Sequence, residues 1–423
     1  MAESMKDKIA VIGMGCSQVG ELWNMDADDL IVDATYKALA DAGVELKNIE
    51  AAWVGVATSC ATGASISSPL QLQYIPVTRV ENACATGTEA IRNAAFSVIA
   101  KVYDLVLVVG YEKLKDSGFG GLGRGGVEKP HPVYGDGQAV GRGPGHYALT
   151  ATRYFHRYGL GPEEGKGLLA KISVKSHYNG FRNPSAHLRR EVSLDTVINA
   201  PIISWPLGLY DCCGVTDGAA AAIICRTEDV KTYAQNHKND YITIKGIGIS
   251  IGPGWGKQSM EYDFTHWEET ERATAQAYKM AGITDPRREL DLAEVHDCFS
   301  ISELIVYESA GYCEKGKAKD YINGGAFIQA DQPRLRGLLG DKEDEPLPME
   351  GQLPVNISGG LKSFGHPVGA SGCRELYEIY TQIQGKAELP SRQLKTPKLG
   401  MTHNQGGHPG KFMCSSLIAG LPE

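Results

Sequence analysis

The feature that most constrains the fold is an α/β pattern that occurs once in each half of the chain. In both copies a strand-like run precedes a glycine-containing turn, a helix-like run and a further strand-like run. The corresponding segments are 51–57 and 290–295, 88–100 and 373–383, and 105–109 and 399–402. Because strands and helices alternate, the sequence predicts two similar α/β halves with a mixed, mainly parallel sheet and helices on both faces.

The turn in each copy carries a side chain suited to catalysis. When the copies are aligned, Cys84-x-x-Gly87 coincides with His366-x-x-Gly369. If the halves pack about a pseudo-twofold axis, the starts of the two helices meet and bring Cys84 beside His366. A thiol facing an imidazole is a nucleophile with its base, whereas an isolated cysteine is more often a small buried hydrophobe. The helix start also predicts a lowered pKa for Cys84.

Composition and charge exclude several classes of protein. A chain of 423 residues has room for two or three domains, and its net charge of -8 argues against a nucleic-acid binder. The ten cysteines are scattered without a CxxC pair, so neither a disulfide scaffold nor a metal site is expected. The amino terminus lacks an apolar signal core, and no apolar run reaches the length of a membrane span. We therefore expect a cytoplasmic protein.

A glycine turn near the amino terminus raises a different interpretation. The strand-like run 9–12 leads into Gly13-Met14-Gly15, as in dinucleotide-binding folds, but the third glycine comes only at Gly20. No acidic residue ends a following strand. These departures argue against a nicotinamide-dependent oxidoreductase.

A glycine- and proline-rich excursion at 118–145 interrupts the first half and precedes helix-like runs at 147–158 and 163–178. A long insertion in an α/β domain is more often functional than idle. Its arginines include Arg142, Arg153 and Arg182. We expect them to form a basic lid over a phosphate-bearing ligand. A solvated charged face is the alternative for each arginine.

The motifs around Cys84 and His366 resemble those of the thiolase superfamily. Residues 82–87 are similar to its nucleophile loop, and residues 356–372, with Gly365-His366-Pro367, to its second catalytic motif. The resemblance implies a five-layered αβαβα sandwich of two pseudo-symmetric halves with an inserted loop domain. The implied boundaries are 1–116 with 214–237 for the first half, 117–213 for the loop domain and 238–423 for the second half.

Two departures from common thiolases narrow the branch. The chain has His296-Asp297-Cys298-Phe299 where they have Asn-Glu-Ala-Phe, and a segment from His403 to Gly407 where they have a second catalytic cysteine. Both segments are similar to the sterol-carrier/lipid-transfer type of thiolase and its archaeal and bacterial relatives. The resemblance implies that Cys298 is the acid/base, with His403 as the competing assignment.

The resemblance further implies the reaction. Acyl-Cys84 would be the intermediate in CoA-dependent cleavage of a 3-oxoacyl-CoA, or in the reverse Claisen condensation, with acetyl-CoA or another short acyl-CoA released or used. His366 would activate Cys84, and His296 would help to stabilise the enolate. Backbone N–H groups at Cys84 and near Gly407 would hold the oxyanion. The sequence does not indicate the physiological direction.

Supporting residues and ligands follow from the same resemblance. His403 and Asn404 would support the oxyanion site. CoA is the expected co-substrate, no tightly bound cofactor is expected, and the residues assigned to CoA are Arg142, Arg153, Arg182 and Ser363.

The resemblance also implies partners. The chain should form a homodimer or a dimer of dimers, and several members of the branch pair with a small zinc-ribbon/OB-fold protein. One such pair is a benzoylsuccinyl-CoA thiolase, which makes an aromatic 3-oxoacyl-CoA a candidate substrate. Two rival functions stay open. A ketoacyl or hydroxymethylglutaryl-CoA synthase would need a different acid/base set, and a non-catalytic acyl-CoA-binding scaffold should have lost Cys84, His296 or His366.

Overall fold

The computed structural model describes residues 5–120, 143–233, 240–253, 261–329, 332–340 and 352–423. The strands are β1 (Ile9–Cys16), β2 (Ala51–Gly55), β3 (Val77–Val80), β4 (Leu105–Lys113), β5 (Ile202–Ser204), β6 (Leu207–Gly208), β7 (Asp217–Arg226), β8 (Ile242–Ile251), β9 (Leu292–Val295), β10 (Leu399–Gly406) and β11 (Met413–Gly420).

The helices are α1 (Ala27–Ala42), α2 (Ala64–Ser67), α3 (Thr86–Ile99), α4 (Gly143–Arg157), α5 (Pro162–Arg182), α6 (Leu194–Ile198), α7 (Val230–Tyr233), α8 (Glu268–Ala281), α9 (Pro286–Glu289), α10 (Ser300–Ser309), α11 (Ala318–Asn323), α12 (Pro333–Leu338), α13 (Gly360–Ser363) and α14 (Ser371–Ile383). Within the ranges just given, no helix combines the length and apolar character needed to cross a membrane.

Nine strands form one sheet in the order β3-β2-β4-β7-β1-β8-β11-β10-β9. Strand β2 runs parallel to β3 and β4, and β9 runs parallel to β10. The other neighbours are antiparallel. The prediction of a mainly parallel sheet is therefore wrong, because β7 returns from the inserted region against both β4 and β1, and β11 reverses against both β10 and β8.

Helices cover both faces of each half of the sheet. Ile12 of β1 belongs to the same buried cluster as Leu30 of α1, whereas Val11 belongs to a cluster with Ile91 of α3 and Leu376 of α14. Successive strand residues point to opposite faces, so α1 lies outside and α3 lies beside α14 in the middle. Helices α8 and α10 cover the outer face of the second half. These layers confirm the predicted five-layered αβαβα sandwich.

Helix α1 follows from local sequence signals. The Asp26 side chain accepts a hydrogen bond from the Asp29 backbone N–H at 2.9 Å, which satisfies a free donor of the first turn. Gly43 ends the helix in the left-handed conformation, with φ 68°. The face carrying Leu30 and Ala34 is buried, as its spacing predicts.

The paired glycines of β1 serve packing against α1. A Cβ at Gly13 would lie 2.4 Å from the Ala42 backbone nitrogen, and one at Gly15 would lie 2.2 Å from the Ala34 carbonyl oxygen. Both glycines lie within the strand. They allow strand and helix to approach closely and do not form a phosphate-binding turn.

The chain between β4 and β7 contributes α4, α5, α6 and the β5–β6 hairpin. Helices α4 and α5 pack against α10 of the second half, which places the inserted region beside residues that follow β9. Most of the glycine-rich excursion, together with Arg142, lies outside the described residues. The domain boundaries at 116, 213 and 237 stay predictions.

Candidate active site

Cys84 lies in a tight turn between β3 and α3. Its neighbour Ala83 has φ 48°, a left-handed conformation that costs a non-glycine residue roughly 1–3 kcal/mol unless its surroundings hold it. The Thr86 hydroxyl donates to the Ala83 carbonyl at 2.5 Å and accepts from the Asn82 N–H at 2.8 Å. Gly406, at the end of β10, makes room for the turn, since a Cβ there would lie 2.6 Å from the Cys84 nitrogen.

The structure brings Cys84 and His366 into direct contact. Cys84 Sγ lies 3.2 Å from His366 Nε2. The Ser371 hydroxyl donates to the Pro367 carbonyl at 3.1 Å, so its oxygen accepts from His366 Nδ1–H at 2.7 Å. This places the proton on Nδ1 and leaves the Nε2 lone pair facing the thiol. The arrangement is that of a nucleophile with its base.

The predicted lowering of the Cys84 pKa is wrong. Burial raises the pKa of this thiol well above its usual value, and the Cys213 thiol and the Glu112 carboxylate raise it further. Burial also lowers the pKa of His366 to about 4, so the imidazole is neutral near pH 7 and adds no positive charge. The resting pair is therefore a thiol and a neutral base.

Two glycines allow the helix starts to meet, as the internal duplication predicts. A Cβ at Gly87 of α3 would lie 2.9 Å from the Gly372 nitrogen of α14, and one at Gly372 would lie 2.4 Å from the Thr88 nitrogen. The buried Glu112 carboxylate accepts from the Gly369 N–H at 3.0 Å and holds the loop that follows His366. The close contact of α3 and α14 thus fixes the positions of Cys84 and His366.

His296 follows β9 and lies against the same pair. Its ring centroid is 5.1 Å from that of His366, and the two rings are nearly perpendicular. The side chain is fully buried, and neither ring nitrogen has a hydrogen-bond partner among the described residues. Burial lowers the pKa of His296 well below its usual value, with the His366 and His403 rings acting in the same direction. A neutral imidazole with a free N–H can donate to a bound carbonyl oxygen.

A buried ionic network fixes the loop that carries His296 and Cys298. Between them, Asp297 accepts from Lys362 Nζ at 3.0 Å and from the Leu361 N–H. Burial opposes ionisation of Asp297, but the Lys362 ammonium holds the pKa of this carboxyl below its usual value. Because breaking a buried pair costs several kcal/mol, the loop has one well-defined position.

Cys298 is buried, and its environment keeps it protonated. Burial raises its pKa well above the usual value, and the Cys213 and Cys84 thiols act in the same direction, whereas a hydrogen bond with Tyr147 lowers it. The Tyr147 ring comes from α4 of the inserted region and stacks on Phe299, with centroids 4.4 Å apart. A protonated thiol at this place can act as a proton donor.

Sequence reasoning missed Gln405 and Tyr147 as site residues. Gln405 Nε2 donates to the Ser302 hydroxyl at 2.8 Å and lies 3.4 Å from the Tyr147 hydroxyl. Gln405 Oε1 is buried without a hydrogen-bond partner in the described part of the chain. Strand alternation places Gln405 on the opposite face of β10 from Asn404, so the sequence pattern could have identified Gln405. For Tyr147 there was no such signal, because its place depends on how the insertion folds back.

The three residues near the carboxyl end of β10 occupy different surroundings. His403 is buried with Nε2 3.1 Å from the Thr270 hydroxyl, and burial lowers its pKa to about 3. Asn404 accepts from the Thr88 hydroxyl at 2.9 Å and donates to Glu375, which ties β10 to α3 and α14. Gly407, with φ 94°, lines the cavity beside Cys84.

None of the described residues assigned to CoA lines the cavity beside Cys84. Arg153 is exposed on α4. Arg182 forms an ion pair with Glu191 at 2.8 Å. The Ser363 hydroxyl donates to the Leu188 carbonyl at 2.8 Å. Their role in binding CoA stays a prediction.

A cavity of about 720 Å³ opens onto the group of residues around Cys84. It is lined by residues of both halves and of the inserted region, including Cys84, His296, Cys298, His366, Gln405 and Gly407. The inserted region contributes Tyr147 and Cys213, and Leu114, Val215 and Val368 supply apolar surface. A volume of this size is typical of a small-molecule site.

Comparisons with known proteins agree with this architecture. Residues 9–228 match the family model "Thiolase, N-terminal domain", and residues 256–332 and 342–416 match "Thiolase C-terminal domain-like". The chain is 33% identical to an acetyl-CoA acetyltransferase of Methanothermobacter thermautotrophicus over 96% of this chain and 98% of that protein. It is 28% identical to benzoylsuccinyl-CoA thiolase subunit BbsB of Thauera aromatica, over 95% of this chain and 96% of the relative.

Other relatives and solved structures extend the likeness. Sterol carrier protein 2 of Gallus gallus is 29% identical over 96% of this chain and 71% of its own length, as the branch resemblance predicts. The Ltp2-ChsH2(DUF35) aldolase superposes with a TM-score of 0.80 at 21% identity, and human mitochondrial 3-ketoacyl-CoA thiolase in complex with CoA with 0.66 at 18%. Each superposition covers all of both chains. The chain therefore belongs to the thiolase family, a family of acyltransferases.

Proposed function

We propose that the chain cleaves a 3-oxoacyl-CoA with CoA, or forms one by the reverse Claisen condensation, through an acyl-Cys84 intermediate. The observation that carries the proposal is the 3.2 Å contact between Cys84 Sγ and His366 Nε2, with the Nδ1 proton directed to Ser371. A scaffold protein has no need for a nucleophile, a base and a fixed tautomer at one point.

In the first step Cys84 Sγ attacks the 3-oxo carbon while its proton passes to His366 Nε2. The raised pKa of the thiol means that proton transfer accompanies attack. The developing oxyanion requires fixed donors, and the backbone N–H groups at Cys84 and near Gly407 are the groups we propose. Both residues line the cavity.

In the second step the C2–C3 bond breaks and its electron pair stays on C2 as an enolate. The free N–H of His296 donates to the thioester oxygen of that enolate, and the Cys298 thiol gives its proton to C2. CoA then attacks the acyl-Cys84 carbonyl, and the CoA thiol proton restores Cys298. Cys84 leaves as a thiolate and takes back its proton from His366 Nε2. Because the pKa of Cys298 is raised, the thiol is protonated before this step and can act as the acid.

The acyl group is proposed to be larger than acetyl. The cavity volume and its apolar lining by Leu114, Phe299 and Val368 leave room for a branched or aromatic chain. The likeness to benzoylsuccinyl-CoA thiolase subunit BbsB makes an aromatic 3-oxoacyl-CoA one substrate to test.

We also propose a homodimer that pairs with a small zinc-ribbon/OB-fold subunit in the cytoplasm. Support comes from two relatives whose names describe assemblies, the subunit BbsB and the Ltp2-ChsH2(DUF35) aldolase. A chain that purifies alone as a dimer with full turnover would contradict the need for this partner.

The acyl-enzyme is tested by intact-protein mass spectrometry after brief incubation with a branched or aromatic acyl-CoA. We expect one acyl group on the peptide that contains Cys84 and none in Cys84→Ala. Cys60→Ala is the matched control, because Cys60 lies outside the cavity lining and its adduct should match that of the wild type. A full-sized adduct in Cys84→Ala would exclude the proposed nucleophile.

Substrate class is tested by following CoA-dependent cleavage of straight-chain, branched and aromatic 3-oxoacyl-CoAs, with and without a co-purifying small protein. Cleavage that requires CoA supports thiolysis. Consumption of acetoacetyl-CoA and acetyl-CoA without thiolysis would indicate a synthase. Carbon–carbon cleavage that proceeds equally well without CoA would indicate an aldolase.

A further inference from the structure

Three groups that the proposed reaction uses also form a cluster of metal-ligating side chains in the lining of the cavity. One ligand atom each from Cys84, His296 and His366 lies within 4.8 Å of the others. The sequence predicts no metal site, because its cysteines are scattered without a CxxC pair. The three ligands of this cluster come from distant segments of the chain. The fold brings them together at the contact of the two halves.

The donor set is that of a soft divalent cation. A tetrahedral Zn²⁺ with one thiolate and two imidazoles places sulfur and nitrogen about 3.5 Å apart and the two nitrogens about 3.3 Å apart. The Cys84–His366 contact of 3.2 Å is already close to that geometry. Closing the remaining gap requires a movement of the His296 ring, which breaks no hydrogen bond recorded among the described residues.

The unpartnered nitrogens of His296 are the second, independent observation. Burying a polar group without a partner is costly, so a ligand that binds there gains the missing interaction. His366 presents its lone pair from Nε2 because Nδ1–H is held by Ser371. Both imidazoles are thus available as neutral ligands, and all three ligand residues line the cavity, from which a water molecule could supply the fourth ligand.

We propose that Cys84, His296 and His366 form a reversible, inhibitory Zn²⁺ site. On binding, the Sγ–H proton leaves to the solvent buffer and a zinc–sulfur bond forms. The metal then occupies the lone pair with which Cys84 would attack and the nitrogen that would accept its proton. This inference goes beyond the proposed reaction, and binding is measured without turnover.

Zinc binding is tested on the full chain by competition with a chromophoric chelator. We expect one Zn²⁺ per chain, bound at least 100-fold more weakly in Cys84→Ala and in His296→Ala. Removal of an outer-shell hydrogen-bond partner weakens metal affinity by roughly 10- to 100-fold, so a larger loss indicates a direct ligand. Cys313→Ala and His156→Ala are the matched controls, because both residues lie outside the cavity lining, and they should bind like the wild type. Equal affinity in Cys84→Ala, or no high-affinity binding by the wild type, would overturn the proposal.

Cobalt identifies the ligands independently. Co²⁺ titration of the wild type should produce a thiolate-to-metal charge-transfer band that is absent from Cys84→Ala. Persistence of the band in that variant would show that other cysteines bind the metal and would refute the site. Thermal unfolding confirms that each variant is folded.

The alkylation rate of Cys84 tests the site in the wild-type protein, without any substitution. Zn²⁺ should slow alkylation of Cys84, mapped by peptide mass spectrometry, whereas alkylation of the partly exposed Cys60 continues and a chelator restores the rate at Cys84. Unchanged alkylation of Cys84 with Zn²⁺ bound would contradict the assignment.

Discussion

At the scale of single residues, reactivity depends on a neutral pair. Cys84 is held as a thiol by burial, and His366 is held as a neutral imidazole by the same burial. The helix start predicts a lowered pKa for this thiol, but burial raises its pKa above the usual value. The proposed chemistry therefore needs the base to be aligned before the substrate arrives, and Ser371 provides that alignment.

The role of Ser371 can be measured. Ser371→Ala removes the acceptor of His366 Nδ1–H, so the ring loses its fixed tautomer and we expect acylation of Cys84 to slow by about 10- to 100-fold. The measurement is single-turnover acylation by the acyl-CoA that gives the Cys84 adduct in mass spectrometry. Ser416→Ala is the control, since that buried hydroxyl has no hydrogen-bond partner in the described residues. An unchanged rate in Ser371→Ala would show that the tautomer is fixed by another group.

The acid/base assignment is also a question of one residue. Cys298→Ala should still accept an acyl group on Cys84 but exchange the α-protons of acetyl-CoA with deuterated water roughly 100- to 10,000-fold more slowly. His403→Gln should keep the exchange, because His403 contacts Thr270 and does not line the cavity. Loss of exchange in His403→Gln with normal exchange in Cys298→Ala would reverse the assignment.

At the scale of elements, the site depends on how closely α3 and α14 approach. Gly87→Ala places a methyl group 2.8 Å from the Cys373 nitrogen, where backbone and not a flexible side chain must move. Overpacking of this kind costs about 1–3 kcal/mol, and we expect a corresponding loss in the free energy of unfolding in urea.

The matched control for Gly87→Ala is Gly167→Ala in α5. No heavy atom lies within 4 Å of a Cβ at Gly167, so the substitution should stabilise the helix by about 0.5–1 kcal/mol. If both variants unfold at the same urea concentration, the contact between α3 and α14 is looser than its geometry indicates.

Elements were predictable where their signals are local. Asp26 and Gly43 are residue types typical of a helix start and a helix end, and they mark the two ends of α1 in the structure. Strand direction was not predictable, because the orientation of β7 depends on where the chain re-enters the sheet after a long insertion. The positions of Cys84 and His366 followed from internal symmetry, whereas Tyr147 reaches the cavity through the fold of the insertion and carries no signal of its own.

At the scale of the whole molecule, buried histidines couple stability to pH. Burial lowers the pKa of His366 to about 4 and that of His403 to about 3. Unfolded histidines bind protons near pH 6.5, so between about pH 6.5 and 4 the unfolded chain binds more protons than the folded one. Stability therefore rises with pH across this window.

The expected result is a fall in the free energy of unfolding by roughly 3 kcal/mol for each such histidine as pH drops from 6.5 to 4. Urea unfolding at several pH values measures this fall. In His403→Gln the fall in the free energy of unfolding should be smaller by the contribution of one histidine. A pH dependence equal in the variant and the wild type would show that His403 does not contribute.

The contact between the halves has a consequence for how this protein can diversify. Strands β1 and β8 join the halves into one sheet, and Gly87 and Gly372 leave no space between the central helices. Opening along that contact would separate Cys84 from His366, so we expect substrate to enter from the side where the inserted region lines the cavity. Substitutions in the insertion can therefore change which acyl group is accepted without disturbing the nucleophile, and new specificities can evolve around unchanged chemistry.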